Sequence, residues 1–286
     1  MTTVGEAIAE NRANWDERAR AHVASYHALE FADDPNAVGD VVTASLELMK
    51  PHLPGGSLAG LDLVHLQCHI GCDSIGLARL GADVTGVDFS AEAVAIASSL
   101  AERARVAGRA RFVQAAVDDA PACLAGQRFD VVYTSVGVLG WLPDLTAWAA
   151  TVAALLKPRG LFFVYETHPM VQTLVWDAKR RDFSIALPYF HSGEPTTWDD
   201  GIDYSSPETL ENRRSHEWAH PISEVITVLL DAGLRIEAFK EQQTIFWNFD
   251  NALVPNPRGS GYVLPDHPER IPLMYSLAAR NPEGLA

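Results

Sequence analysis

The residues best suited to chemistry follow the first apolar stretch of the chain. Leu61–Leu66 predicts a buried strand, which runs into His65-Leu66-Gln67-Cys68-His69-Ile70-Gly71-Cys72-Asp73. Such a strand–turn–helix is where an open α/β sheet binds its ligand. Only Gly71 is a glycine, so the G-x-G-x-x-G pattern that brings backbone amides to a pyrophosphate is absent. The loop therefore favours a cofactor without phosphates.

A carboxylate follows the second predicted strand. Asp88 comes directly after Asp83–Val87, at the end of the sheet where the ligand is expected. It can accept hydrogen bonds from both hydroxyls of a ribose, which predicts an adenosine ligand. The alternative is a charge that stabilises the N-terminus of the next helix. The position at the strand's carboxyl end favours the ribose.

A candidate general base follows the fifth predicted strand, Leu161–Thr167. Alternation places Glu166 and His168 on one face of this strand. An imidazole with an unperturbed pKa near ~6.5 can accept a proton at neutral pH. His168 could equally line the pocket or hydrogen-bond a lid. Tyr133 and His191 are weaker candidates for the general base.

Four possible zinc ligands also fall in the first loop. His65, Cys68, His69 and Cys72 are spaced three and four apart, which would suit a helix. His65 and Cys68 fall on an extended strand end, however, where this spacing does not converge. We therefore predict no metal site.

The elements that position these residues alternate between strand and helix from residue 61 onward. This alternation predicts a parallel sheet covered by helices on both faces. The predicted strands are Leu61–Leu66, Asp83–Val87, Arg111–Ala115, Phe129–Ser135, Leu161–Thr167, Arg235–Lys240 and Pro272–Ala279, and the helices between them include Ser74–Leu80, one from Ser90 to about Ala107, and Thr146–Leu156.

Two further parts flank or interrupt this domain. Residues 1–50 predict a helical cap with Trp15, Ala19, Val23 and Tyr26 on one face, and Pro51–Gly60 leads into the main domain, 51–286. An aromatic-rich insertion at about 169–220 predicts either a satellite core or a substrate lid. Its Asp200-Gly201 pair predicts a tight hairpin. The polar residues on either side of this pair suggest that few contacts hold the insertion to the rest of the protein, which predicts a mobile lid.

The motifs together resemble class I S-adenosylmethionine-dependent methyltransferases. The segments that carry the resemblance are His65–Asp73, Val84–Ser90, Arg111–Asp119, Phe129–Trp141 and Leu155–His168. The family's first motif is acidic-x-Gly-x-Gly-x-Gly, and its positions here read His65, Gln67, His69 and Gly71. The chain thus looks like a bacterial small-molecule branch with a degenerate glycine motif.

The resemblance implies a Rossmann-like fold with a seven-stranded, mostly parallel sheet whose last strand is antiparallel. It implies S-adenosyl-L-methionine as the cofactor, with Asp88 on the ribose and Phe89 beside the adenine. The family's adenine-binding acid falls on Ala116, so the nearest substitutes are the Val117 backbone and the Asp118 side chain. Residues near the methionine portion and the methyl group would be Gln67, Gly71, Ser135 and Gly137.

The composition of the chain bears on whether it binds nucleic acid or a membrane, and on its cellular compartment. The net charge of −15 opposes binding to nucleic acid. No apolar run reaches the ~18 residues of a membrane helix. Three cysteines and a polar N-terminus without a signal-peptide pattern predict reduced thiols and a cytoplasmic protein.

The predicted reaction is methyl transfer to a small-molecule acceptor, with secondary metabolism as one setting for it. Transfer of this kind is an in-line displacement, so positioning can supply most of the catalysis. The accepting atom and the oligomeric state stay open. The alternatives are an NAD-dependent oxidoreductase and a protein that binds S-adenosylmethionine without methylating.

Overall fold

The chain is described here from a computed structural model, which covers residues 2–190, 192–205 and 209–282. His191, a weaker candidate for the base, lies outside these ranges. Within them the strands are, in chain order, β1 (Asp62–Leu66), β2 (Asp83–Asp88), β3 (Ala110–Gln114), β4 (Phe129–Ser135), β5 (Leu156–Thr167), β6 (Leu174–Asp177), β7 (Asp182–Ile185), β8 (Thr196–Asp199), β9 (Arg214–Glu217), β10 (Arg235–Gln242), β11 (Val254–Pro255), β12 (Tyr262–Val263) and β13 (Met274–Arg280).

The described residues build one large sheet of seven strands in the order β10-β13-β5-β4-β1-β2-β3. Strands β1 to β5 pair in parallel, whereas β13 lies antiparallel between β5 and β10. The predicted Rossmann-like class I methyltransferase fold is therefore confirmed, including the antiparallel last strand. The carboxyl ends of β1, β2, β4 and β5 meet at one edge.

Helices cover both faces of this sheet. The α-helices of the described residues are α1 (Val4–Ser25), α2 (Ala28–Asp33), α3 (Asp40–Met49), α4 (Cys72–Arg79), α5 (Ala91–Arg103), α6 (Ala120–Cys123), α7 (Leu145–Leu155), α8 (Pro169–Gln172) and α9 (Ile222–Asp231). Helices α1 to α5 share one apolar core with the sheet, and α7 and α9 share a second core on the opposite face. As predicted, Ser90 caps α5, because its hydroxyl accepts from the N–H of Ala93.

The start of β5 differs from the prediction. The sequence predicts a strand from Leu161, but β5 begins at Leu156, directly after α7. Pairing with β4 passes from Leu156 to Leu161 across an irregularity, and Arg159 adopts a left-handed φ of 63° within it. Pro158 and Gly160 signal a turn, and that turn is accommodated as a bulge inside the strand.

The insertion contains two antiparallel ribbons, β6–β7 and β8–β9. The prediction of a tight hairpin at Asp200-Gly201 is wrong, because β8 pairs with β9 across a long connection that runs from Asp200 to Arg213. Gly201 does accept a backbone bond from Leu210, but inside this longer connection. A local turn signal cannot show how far the chain travels before it pairs.

The expectation of a lid with few anchors is also wrong. Helix α1 holds the insertion through polar side chains: Asn11 exchanges two 2.8 Å hydrogen bonds with the His216 backbone, and Asn14 donates to Asn212 O at 2.6 Å. Arg18 donates to Ile202 O at 3.0 Å. These α1 residues are buried, although their types are typical of an exposed helix face.

Candidate active site

The loop between β1 and α4 has an unusual backbone. Gln67, His69 and Gly71 adopt positive φ values of 57°, 51° and 78°. A left-handed conformation costs a residue with a side chain roughly 1–2 kcal/mol. These are the three positions that align with the glycines of the family motif. The loop thus has a conformation suited to glycine at Gln67 and His69, where this chain has no glycine. Strained backbone of this kind is common at functional sites.

Gly71 is required by packing as well as by its φ. A Cβ at this position would lie 2.8 Å from Ala97 Cβ and 2.8 Å from Phe112 Cε1. Such contacts are closer than carbon atoms approach each other. Gly71 therefore lets α4 begin directly against α5 and β3, next to the loop.

Asp88 ties this loop to the end of β2. Its carboxylate is 7% exposed and accepts from His69 N at 2.8 Å and from Ser90 N at 2.9 Å. Burial raises the pKa of Asp88 to about 6. A carboxylate offers about four lone-pair sites, so these two bonds leave capacity for a further donor on each oxygen. Phe89, the next residue, packs half-buried beneath the Arg12 guanidinium at 5.8 Å.

Gln67 reaches from the loop towards the segment after β4. Its Nε2 donates to Val138 O at 2.9 Å. Its Oε1 is buried and has no hydrogen-bond partner among the residues that the structure describes. An unpaired buried acceptor is costly unless a ligand or water satisfies it, so Gln67 offers a ready acceptor at the expected ligand edge.

Ser135 belongs to a directed chain of buried hydrogen bonds. The Ser74 hydroxyl bonds His65 Nδ1 at 2.9 Å, and His65 Nε2 bonds Ser135 Oγ at 3.3 Å. Ser135 Oγ then donates to Asp73 Oδ2 at 3.1 Å. Burial lowers the pKa of His65 to about 3 and raises that of Asp73 to about 6. His65 is thus neutral, and Asp73 is the carboxylate at the end of this chain of hydrogen bonds.

Tyr133 is enclosed in the core. It is 0% exposed, and its hydroxyl shares a 2.9 Å hydrogen bond with Ser45 on α3. Burial raises the pKa of the Tyr133 hydroxyl. The structure therefore joins Tyr133 to α3 rather than to the loop after β1, and its catalytic role stays a prediction.

Glu166 holds the loop that follows β4. Its carboxylate accepts from four backbone N–H groups, those of Gly137, Val138, Leu139 and its neighbour Thr167. Burial raises the pKa of Glu166, while these bonds oppose the rise. With its oxygens so engaged, Glu166 is suited to fixing this loop against β5.

His168 has a partner at each ring nitrogen. Nδ1 accepts from Met170 N at 3.1 Å and so caps the short helix α8, while Nε2 lies 3.2 Å from Glu241 Oε1 on β10. Burial lowers the pKa of His168, and Glu241 opposes the shift. The ring is thus neutral and directed towards the β10 side of the sheet. Its role as a base stays a prediction, and the geometry favours the capping role.

The residues expected near the adenine lie in a 3-10 turn after β3. Val117 is 7% exposed, and its carbonyl accepts from Thr151 Oγ1 at 3.3 Å. Asp118 is exposed, and its pKa is raised by partial burial and by the Asp144 carboxylate. Neither contact tests the adenine assignment, which stays a prediction.

Sequence reasoning missed a cluster that joins α1, the insertion and the loop after β1. His22 lies between His69 and Asp203, with 2.8 Å hydrogen bonds to each. Arg18 also pairs with Asp203 at 3.3 Å. The available signal was the helical spacing of Asn11, Asn14, Arg18 and His22, which puts polar residues on one face of α1. Such a face is ordinarily solvated, so the spacing alone did not mark it as buried.

Comparison with known protein families identifies the region that contains this site. A family model described as a methyltransferase domain matches residues 64–160, which include the end of β1, the loop that follows it, Asp88 and β4. The chain contains a methyltransferase domain. The matched range contains all the residues that the sequence assigned to cofactor binding, which are Gln67, Gly71, Asp88, Phe89, Val117, Asp118 and Ser135.

Curated relatives match the same region. The methyltransferase domain is 38% identical over 108 residues to a ubiquinone biosynthesis O-methyltransferase of Methylobacterium sp. (strain 4-46), covering 37% of this chain and 41% of that protein. A protein of the same name from Psychrobacter cryohalolentis is 38% identical over 104 residues, covering 36% and 40%. The matches thus span about two fifths of the length of these relatives.

Solved structures extend the likeness in fold. An S-adenosylmethionine-dependent methyltransferase from Mesorhizobium loti superposes with a TM-score of 0.57 at 21% identity, covering 84% of this chain and 99% of that one. A geranyl diphosphate C-methyltransferase from Streptomyces coelicolor A3(2) gives 0.51 at 14% identity, covering 84% and 79%. At these identities the likeness shows that the fold around the domain is shared.

Proposed function

We propose that this chain is an S-adenosylmethionine-dependent methyltransferase that methylates a small molecule. The observation that carries the proposal is the loop at 67–71, which stays left-handed at the family's glycine positions and is tied to Asp88 by the His69 N–H. A left-handed backbone is costly for residues other than glycine, and such strained backbone clusters at ligand sites, so this loop suits a bound cofactor.

The residues present fit this cofactor. Asp88 retains capacity for two hydroxyl donors, as a ribose requires, and the unpaired Gln67 Oε1 suits the ammonium group of a methionine portion. When bound, S-adenosylmethionine supplies a methyl group activated on a sulfonium. The loop lacks the glycine pattern that binds the pyrophosphate of a dinucleotide, and this absence counts against NAD as the cofactor.

A small-molecule acceptor agrees with the charge and the cover over the site. The net charge of −15 disfavours nucleic acid, and none of the helices in the described ranges has the length and apolar composition of a bilayer-spanning segment. Helix α1 and the insertion lie over the carboxyl ends of the strands, where a lid would exclude water from the reaction. Within the N-terminal helical region 1–50 we assign α1 to the cover over the site, and we propose that the protein is cytoplasmic.

The experiment is calorimetry with S-adenosylhomocysteine and with its 2′,3′-dideoxyribose analogue on the unaltered protein. Two bonds to a charged acceptor contribute roughly 1.5–3 kcal/mol each, so the analogue should bind about a hundred-fold more weakly or worse. Asp88→Ala should remove the difference between the two ligands. Asp83→Ala, at the exposed other end of β2, is the matched control and should retain it. Equal affinity of both ligands for the unaltered protein would contradict the ribose assignment.

A further inference from the structure

Three side chains from three separate parts of the molecule form one hydrogen-bonded chain. Asp203 of the insertion bonds His22 Nε2 at 2.8 Å, and His22 Nδ1 bonds His69 Nε2 at 2.8 Å. The side chains of His22 and Asp203 are 0% exposed. We propose that His69 is the catalytic base that takes a proton from the methyl acceptor, with His22 and Asp203 as its positioning residues. The inference rests on the proposed function and names its acceptor class: a small molecule with an acidic O–H, such as a phenol.

The hydrogen bonds define where the protons lie. Asp203 is held as a carboxylate, because the bonds from His22 and Ser205 lower its pKa despite burial. His22 therefore donates from Nε2 and accepts at Nδ1, so His69 donates from Nε2. This assignment leaves the lone pair of His69 at Nδ1, which no side chain or backbone group of the described residues hydrogen-bonds.

The chain can carry a proton away from the acceptor. The acceptor's O–H bond breaks and an N–H bond forms at His69 Nδ1, while the Nε2 proton of His69 passes to His22 Nδ1. His22 is then an imidazolium 2.8 Å from the Asp203 carboxylate. The positive charge thus comes to rest beside a buried negative one, and no oxidant or reductant is needed.

This transfer explains why a weakly basic histidine suffices. Burial and the neighbouring His22 lower the pKa of His69 to about 3, so His69 is neutral and ready to accept. A His69 that stayed protonated on both nitrogens would be unfavourable, but the hydrogen bond to His22 lets a proton pass from His69 to His22. The other charged and titratable groups around the pair are Arg18, Tyr26 and Tyr204.

The position of His69 fits contact with the acceptor. It lies two residues after Gln67 in the cofactor loop, and its own N–H bonds Asp88. Its ring contacts Trp15 at 5.2 Å between centroids, and Trp15 in turn contacts Trp141 at 5.1 Å. Trp141 Nε1 donates to Gly137 O, in the loop beside the expected methyl group. These aromatic faces suit a planar acceptor.

The test uses 4-nitrophenol as the probe, since its visible absorbance distinguishes phenol from phenolate. It is added to the full chain saturated with S-adenosylhomocysteine, at a pH where the free probe is mostly protonated. We expect the bound probe to be more ionised than the free probe. His69→Asn should abolish the excess phenolate, and asparagine tolerates the left-handed backbone at this position. His22→Gln should reduce the excess, whereas Ser25→Ala, which removes a different α1–insertion bond, should retain it.

The outcomes separate the two proposals. Failure of S-adenosylhomocysteine to bind contradicts the proposed function. If it binds but 4-nitrophenol does not, or shows no excess ionisation, the catalytic assignment of His69 is overturned alone. Excess ionisation that persists in His69→Asn also overturns it and leaves His22 and His69 as a structural tie. With an acceptor in turnover, His69→Asn should lower kcat by roughly 10²–10⁴ while the affinity for S-adenosylhomocysteine is unchanged.

Discussion

The backbone N–H of His69 donates a 2.8 Å hydrogen bond to Asp88 Oδ2, so the loop after β1 and the end of β2 are held as one unit. The same residue contributes its ring to the chain through His22 to Asp203. One histidine, at a position where the family motif has glycine, therefore connects the expected cofactor site to helix α1 and to the insertion. Asp88 and the insertion are therefore physically linked through His69.

Glu166→Gln should destabilise the protein. The wild-type carboxylate accepts from four N–H groups, and the amide nitrogen of glutamine would face some of these donors instead. Leaving buried donors unpaired costs about 1–3 kcal/mol each, so urea unfolding should show a loss of about 2 kcal/mol or more. Glu241→Gln, on the exposed end of β10, is the control and should lose far less. Equal losses would contradict the anchoring role of Glu166.

Asp73 should make stability depend on pH. Burial raises its pKa from 3.8 to about 6, so the folded protein holds this proton more tightly than the unfolded chain does. The stabilisation is complete below the unfolded pKa and is lost as the pH rises through about 6. Asp73→Asn should therefore become relatively more stable than wild type between about pH 4 and 7. Urea unfolding across this range measures the difference, with the exposed Asp119→Asn as the control. A difference that stays constant with pH would contradict the assignment.

His168 variants distinguish capping from catalysis. His168→Asn can still accept from Met170 N, so we expect it to retain near-full kcat. His168→Ala removes the cap and should lose about 1 kcal/mol in thermal or urea unfolding. If His168 is instead the base, both variants should lose kcat by roughly 10²–10⁴. Steady-state rates of the two variants, measured side by side, decide between the roles.

Much of the fold was predictable because its signals are local. The Phe129–Ser135 strand and the Ser90 cap follow from apolar runs and from side chains that cap their own helix. The polar partners were not predictable, because each joins residues far apart in sequence. His22 and Asp203 meet only after the insertion folds back over α1, and the polar face of α1 does not by itself indicate which segment covers it. Glu166 was placed at the correct strand end, but three of the four N–H groups that it accepts from belong to the loop after β4.

Asp203→Asn should loosen the insertion. Asp203 pairs with Arg18 and His22, both on α1, so weakening these bonds should expose backbone amides to solvent. Hydrogen exchange should accelerate in β8, β9 and the C-terminal half of α1, with β1 and β4 unchanged. Asp199→Asn, a 63% exposed carboxylate next to the same turn, is the matched control. Exchange that is unchanged in Asp203→Asn would show that the remaining α1 contacts hold the insertion alone.

The central claim is that the edge formed by Asp88 and the loop 67–71 binds S-adenosylmethionine. Parallel calorimetric titrations of the wild-type chain with S-adenosylhomocysteine and with NAD test it most directly. We expect S-adenosylhomocysteine to bind once per chain and NAD to give no specific heat, because the loop lacks the glycine pattern that receives a pyrophosphate. Binding of NAD without binding of S-adenosylhomocysteine would contradict the account.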